Sequence, residues 1–342
     1  MKTKLFIILT FFIVYSCVKD KPNNTIQPVL QLSSAKKIYV VNEGNFMNGN
    51  SSVSLYDSGT NQVIEDFYKT QNNSNLGDVA QSITEFNSNF YIVVNNSNKI
   101  IVCDNQFKFK SLINGFSSPR YILPVSNSKA YVSDLSSNTI AVINLNSNSI
   151  VSSIPCMGWT EKMVLIYNKV FVTNMKKNYV YVINSVNDLK IDSVNVGPNA
   201  GNILIDKNDD IWVLTGADKP NSINATLKKI NPVSNAVILT HSFGINDLPG
   251  NLCINKTKDT LYFLNGAIYK MAITSGVLPS NAFIVNGNKN FYGLGINPND
   301  FTIYAADALD YLQKSNIYIY DANGNQKTFF KAGVNSNGFY FE

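Results

Sequence analysis

Val170-Phe171-Val172-Thr173-Asn174, a polar loop, then Val180-Tyr181-Val182-Ile183-Asn184: these two short runs, each with an aromatic residue among β-branched neighbours and Asn at its end, decide the fold. The first run recurs along the chain. Ile38-Tyr39-Val40-Val41-Asn42, Phe90-Tyr91-Ile92-Val93-Val94-Asn95, Ala130-Tyr131-Val132-Ser133, Ile211-Trp212-Val213, Leu261-Tyr262-Phe263 and Ile303-Tyr304-Ala305 complete a set of seven. Such residues suit a pleated, half-buried strand. The aromatics at 39, 91, 131, 171, 212, 262 and 304 are spaced by 52, 40, 40, 41, 50 and 42 residues, so the chain is an array of one unit, with loop insertions in the longest steps.

The second run also recurs, at 53–57, 100–104, 140–144, 180–184, 227–231 and 317–321, and closes each time on Asp or Asn. Those side chains hydrogen-bond the backbone two residues on and start tight turns, which lead into third strands such as 149–154 and 189–196. A fourth run precedes each next aromatic strand, at 81–86, 121–125, 163–166, 202–205, 251–254, 293–296 and 338–341. Four short strands per unit with no helical periodicity predict an all-β, seven-bladed β-propeller of four-stranded antiparallel blades. The aromatic strand at Tyr39 has no inner strand before it, and the run at Phe339-Tyr340-Phe341 has no unit after it. The C-terminal strand is therefore expected to complete the first blade, closing the ring and hiding its open edges.

Outward from the repeats, Lys2 and Lys4 precede an apolar run from Leu5 to Tyr15 that stops at Ser16 and Cys17. A run of eleven residues falls short of the roughly 20 needed to cross about 30 Å of hydrocarbon, so residues 1–16 read as a signal peptide. Val14-Tyr15-Ser16-Cys17 resembles the lipobox of bacterial lipoproteins, which implies lipidation of Cys17 and a lipid anchor in a membrane. Residues 17–35 read as a tether and 36–342 as the propeller. The formal net charge is +5, but residues 1–37 hold six Lys and one Asp, leaving 22 basic and 22 acidic residues from Ile38 onward. A neutral propeller gives no electrostatic ground for nucleic acid as partner. Cys103, Cys156 and Cys253 lack CxxC spacing and read as small buried hydrophobes, the alternative being one disulfide with a free thiol.

In this strand order, the loops entering the innermost strands and those between second and third strands gather on one face around the channel mouth, the expected binding site. Aligned innermost strands place Gln81, Arg120, Lys162, Gly201, Gly250, Tyr292 and Asn337 at one equivalent level. Arg120 and Lys162 either contact ligand or are solvated or paired with Asp78 and Glu161. Phe46, Phe116, Trp159, Phe291 and Tyr311 stand in loops of the same face, as ligand or partner contacts or as seals between blades. Inserts at 215–225 and 306–315 enlarge that rim. His241 is the only histidine and is expected at the surface of an outer strand. Glu43, Asp78, Glu161, Asp218 and Asp247 lie on different blades with no close pair expected. No nucleophile elbow, phosphate loop or dinucleotide fingerprint occurs, so the expectation is binding without catalysis, cofactor or metal, although a carboxylate-only calcium site stays open.

The aromatic strand ending in Asn, followed by a strand of the Val180-Tyr181-Val182-Ile183-Asn184 type, resembles YVTN and YncE-like propeller repeats. Asn42-Glu43-Gly44-Asn45-Phe46, Leu76-Gly77-Asp78-Val79-Ala80 and Ser118-Pro119-Arg120-Tyr121-Ile122 are similar to segments of a family of bacterial surface lipoproteins that includes the BtuG-like propellers. The resemblance implies an outer-membrane lipoprotein on the cell surface or facing the periplasm. It further implies a captured small-molecule nutrient, cobalamin (a corrinoid) in the BtuG-like case, and an outer-membrane TonB-dependent transporter as partner. Two alternatives remain, a protein-interaction scaffold in the envelope and a lactonase-like propeller hydrolase.

Overall fold

The computed structural model describes residues 36–342. The signal peptide, Cys17 and the tether assigned to residues 1–35 lie outside the described residues. The seven aromatic strands each become the second strand of an antiparallel sheet, and seven such sheets form among the described residues. Blade 3 is typical: Pro119–Ser126 is innermost, followed outward by Lys129–Asp134, Thr139–Asn144 and Ser149–Pro155.

The ring closes as the unpaired ends of the repeat require. Ser336–Phe341 pairs antiparallel with Lys37–Asn42, with Tyr39 opposite Tyr340 and Val40 opposite Phe339, so blade 1 takes its inner strand from the C-terminus. Tyr39 Oη also donates to Glu342 Oε2 at 3.1 Å. Residues at opposite ends of the described chain thus share one sheet, and neither end leaves an inner edge open.

The turns form as the Asp and Asn stops demand. Asp57 Oδ1 accepts from Gly59 N at 2.8 Å, Asp104 Oδ1 from Gln106 N at 2.9 Å, Asn144 Oδ1 from Asn146 N at 2.9 Å and Asn184 Oδ1 from Val186 N at 2.8 Å. Asn231 and Asp321 do the same with Val233 N at 3.0 Å and Asn323 N at 2.9 Å. Each side chain satisfies the turn's backbone donors, so the outer two strands of six blades are joined by one local device.

Blade 6 departs from the pattern. Its third strand, Ala267–Ala272, follows Thr260–Asn265 after the single residue Gly266, held at φ 71°, and carries no Asp or Asn stop. The stop motif therefore gave no sign of it. Its fourth strand is reduced to one bridge between Ile268 and Ile284. A second departure is a six-residue helix, Phe67–Asn72, capped by Asp66, whose Oδ1 accepts from Lys69 N at 3.1 Å. It occupies the longest step between aromatic strands, and it is too short to show helical periodicity.

The core lies between blades. Tyr39, Tyr91, Tyr131, Phe171, Trp212, Tyr262 and Tyr304 are all buried, each against the neighbouring blade. The cluster holding Tyr91 also holds Val132 and Ile143 of blade 3, and the cluster holding Tyr131 holds Val170 and Val172 of blade 4. Between blades 1 and 2 the short helix supplies Phe67 to an aromatic group with Tyr39, Phe90, Phe107 and Tyr340.

Cys103 and Cys156 are buried, Cys253 is half-buried, and none of the three is paired. His241 corrects an expectation. It is on the outermost strand of blade 5, Ala236–Ser242, but only 6% exposed, stacked on Trp212 at 6.2 Å with the rings 3° apart. Alternate side chains of an outer strand turn toward the adjacent blade. Burial, with Lys229 nearby, holds its imidazole below the ordinary histidine range.

Candidate channel-mouth site

Every innermost strand begins at the channel mouth, so the residue at that level on each blade faces the axis. Gln81, Arg120, Lys162, Gly201, Gly250, Tyr292 and Asn337 all line one cavity of about 760 Å³, joined by Glu43, Trp159, Glu161 and Asn202. That volume suits a drug-sized ligand. The two glycines widen it on the side of blades 5 and 6.

The inner strands are tied to one another by side chains reaching across to the next backbone. Ser82 Oγ donates to Arg120 O at 2.8 Å, Thr84 Oγ1 to Ile122 O at 3.3 Å, Asn251 Nδ2 to Tyr292 O at 2.6 Å and Cys253 Sγ to Leu294 O at 3.2 Å. These bonds satisfy carbonyls on strand edges that have no further strand to pair with. They also fix the level at which the lining side chains stand.

Arg120 organises the polar mouth. Its Nε donates to Glu161 Oε1 at 2.8 Å, its Nη1 bonds Gln81 Oε1, and its guanidinium stands 5.6 Å from the centre of the Trp159 ring. Trp159 Nε1 donates to the same Glu161 oxygen. On the other side, Glu43 accepts from Tyr292 Oη at 2.8 Å and from Asn337 Nδ2 at 2.7 Å. Burial raises the pKa of both Glu43 and Glu161, opposed by these donors and by the charge of Arg120. No local pattern pairs these carboxylates; the ring brings both to one cavity, linked through Arg120, Gln81 and Asn337.

Lys162 is held differently. Its Nζ donates to Asn202 Oδ1 at 2.8 Å and lies 5.8 Å from the centre of the Tyr121 ring. Burial, reinforced by Arg120, pushes its pKa down, against the opposing pull of Cys253 and Glu161. Asp78 is not the partner of either cation: its Oδ2 accepts from Met47 N at 2.9 Å and Asn96 Nδ2 at 2.6 Å.

The rim aromatics separate into three groups. Trp159 lines the cavity. Phe46 is 64% exposed and Tyr311 46% exposed, on loops joined by Asn45 Nδ2 donating to Tyr311 O at 2.8 Å. The Tyr311 ring meets that of Tyr292 edge-on at 5.6 Å. Phe116 and Phe291 take the other expected role, as seals between blades: Phe116 is buried in the core between blades 2 and 3, and Phe291, the first residue of the inner strand Phe291–Ile296, packs against the core between blades 6 and 7. An aromatic beside a blade gap can turn inward and escape water.

Tyr121, Asn202 and Asn251 belong to the cavity although the equivalent-position alignment passed over them. They stand one residue after the equivalent positions Arg120, Gly201 and Gly250, and bulges at the starts of these strands bring both positions to the channel. Asp218 and Asp247 lie on rim loops but do not line the cavity; Asp218 accepts from Asn221 Nδ2 at 2.8 Å and Asp247 from Asn265 Nδ2 at 3.0 Å. Among the described residues no group of three or more His, Cys, Asp or Glu side chains is placed to hold a metal.

Solved structures show the same fold. A quinoprotein alcohol dehydrogenase-like protein from Bacteroides thetaiotaomicron is 16% identical with a TM-score of 0.70, over 90% of this chain and 78% of that one. A lactonase-like protein from Bacteroides fragilis is 12% identical with a TM-score of 0.65, over 91% and 98%. A functionally unknown protein from Desulfotomaculum acetoxidans is 13% identical with a TM-score of 0.66, over 90% and 99%. No curated protein matches the chain. A family model matches residues 36–342.

Proposed function

The chain belongs to the family of that model, described as Domain of unknown function (DUF5074), and from this premise we propose that its propeller captures a small ligand at the channel mouth. One observation carries the reading: side chains from separate blades converge on a cavity of about 760 Å³ with their polar atoms already held in place. Groups ordered before the ligand arrives lower the entropic cost of binding it. Capture rather than turnover is favoured because Glu43 and Glu161 are each held by two donors, which suits them to shaping the site.

In this reading the protein is exported, anchored through Cys17 at the outer membrane, and hands a nutrient of corrinoid type or another class to a transporter. The similarity of residues 42–46, 76–80 and 118–122 to surface lipoproteins supports that setting. A second reading, a protein partner on the same face, draws on the exposed side chains of Phe46, Met47, Leu248 and Leu312.

Calorimetric titration of the full chain with corrinoids, haem, glycans, and small organic acids and phosphates tests the proposal. At least one class is expected to bind saturably, and changing Arg120 and Trp159 together to Ala is expected to weaken it by about tenfold or more. Tryptophan fluorescence supplies a second readout, because the other tryptophan, Trp212, is fully buried away from the mouth. Silence across every class, with envelope proteins retained on the immobilised chain, would replace capture by the partner reading.

A further inference from the structure

Resting on the channel mouth being a ligand site, we infer that the ligand carries an oxyanion, a carboxylate or a phosphate, and that Lys162 receives it. Lys162 stands on the innermost strand of blade 4, Thr160–Ile166, and lines the cavity. An ammonium has three N–H donors. One goes to the neutral amide oxygen of Asn202, which leaves two for whatever fills the cavity. Among the described residues seven ion pairs form, and Lys162 is in none of them.

The groups around Lys162 do not supply the missing counter-charge. The nearest acid, Glu161, directs Oε1 to both Arg120 and Trp159. Glu43 is engaged by Tyr292 and Asn337 on blades 7 and 1. Cys253 donates to Leu294 O at 3.2 Å, and burial pushes its thiol up to about 11, so it is neutral at pH 7. The Tyr121 phenol is likewise held neutral by burial. Arg120 adds repulsion.

A half-buried cation without a counter-ion is costly to keep charged, and the cost is relieved when an anion arrives. Arg120 does not compete as the primary anchor, since Glu161 already neutralises it. The ligand's other end has its own cue. Asn337 Oδ1, on blade 1 and across the ring from Lys162, is buried without a hydrogen-bond partner and would accept from a hydroxyl or N–H of the ligand.

The test pairs each anion with a neutral analogue on the full chain: succinate with succinamide, and glucose 6-phosphate with glucose, titrated into the wild type, Lys162→Gln and Lys162→Arg. The anionic member of at least one pair is expected to bind about tenfold or more tightly than its neutral analogue. Lys162→Arg should keep that preference and Lys162→Gln should lose it. The pair that responds distinguishes carboxylate from phosphate.

A readout independent of any variant is acetylation of the wild type followed by peptide mapping. The responding anion should slow modification of Lys162 while leaving the exposed Lys176 unchanged. Equal binding of both members of every pair, a preference that survives Lys162→Gln, or no protection of Lys162 would overturn the inference while leaving the channel mouth as a ligand site. If neither the pairs nor any class of the wider panel binds, the ligand site itself falls.

Discussion

At the scale of single residues, the Arg120–Glu161 pair shows how far burial changes the meaning of an ion pair. Their side chains are 16% and 5% exposed at 2.8 Å, so little solvent screens the interaction. Burial raises the Glu161 pKa, and Arg120 is the largest influence opposing that rise. Changing Arg120 to Ala would leave a buried carboxylate without its counter-ion, at a cost of about 3–5 kcal/mol. The folded-state pKa would then rise further above the unfolded value. A raised pKa favours the folded state below the unfolded pKa and costs stability as pH climbs through the folded one. Arg120→Ala should therefore be most destabilised above the raised Glu161 pKa and recover as pH falls into the ordinary glutamate range, where the folded state already holds Glu161 protonated. Urea unfolding of variant and wild type at pH 7.5 and pH 4.5 measures this. A deficit that stays constant between the two pH values would contradict it.

At the scale of elements, the short helix Phe67–Asn72 and the turn carrying Phe107 work as one plug in the gap between blades 1 and 2. Phe107 is fully buried with φ at 63°, stacked on Tyr39 at 5.2 Å, and its carbonyl accepts from Asn72 Nδ2 at 2.9 Å. Asn72 Oδ1 in turn accepts from Phe109 N at 2.8 Å. Phe107→Ala would leave a cavity lined by Tyr39, Phe67 and Phe90, and a loss of about 3–5 kcal/mol is expected on unfolding. Hydrogen exchange should rise in residues 66–73 more than in blades 3 to 5, which have their own clusters. The repeat spacing marked an insertion here. It could not announce a helix of six residues, nor that Phe107 would turn inward from a polar loop.

At the scale of the whole molecule, ring closure is the long-range interaction on which the site depends. Ser336 Oγ donates to Asn42 Oδ1 at 2.6 Å, and Asn42 Nδ2 reaches Ser52 Oγ at 3.0 Å and Ser54 Oγ at 2.9 Å, so the last strand is locked into the first blade by buried polar bonds. The next blade fits closely too: a Cβ on Gly293 would come within 2.7 Å of Ser336 O. Removing residues 336–342 would open inner edges on blade 1, take Asn337 from Glu43, and leave Tyr39 without Tyr340. The truncated chain is expected to aggregate through the exposed edge, seen by light scattering, and to lose ligand binding at the channel mouth. A monomeric truncation that still bound ligand would show that closure is dispensable.

The amino-acid order alone determined the seven-unit array, the Asp and Asn turns and the closing strand, because strand propensity, turn chemistry and a 40- to 50-residue period are local or repetitive signals. It also placed Gln81, Arg120, Lys162, Tyr292 and Asn337 at one level, since equivalent positions in a repeat occupy equivalent places around an axis. Only the tertiary structure decided which charges meet: Glu43 beside Asn337 and Tyr292, Glu161 on Arg120, and Lys162 without a carboxylate. Those contacts join residues from separate blades or from opposite ends of the described chain, and whether Phe116 faced the rim or the core rested on the same packing. Side-chain direction at a loop is set by the neighbouring blade, which no local pattern records.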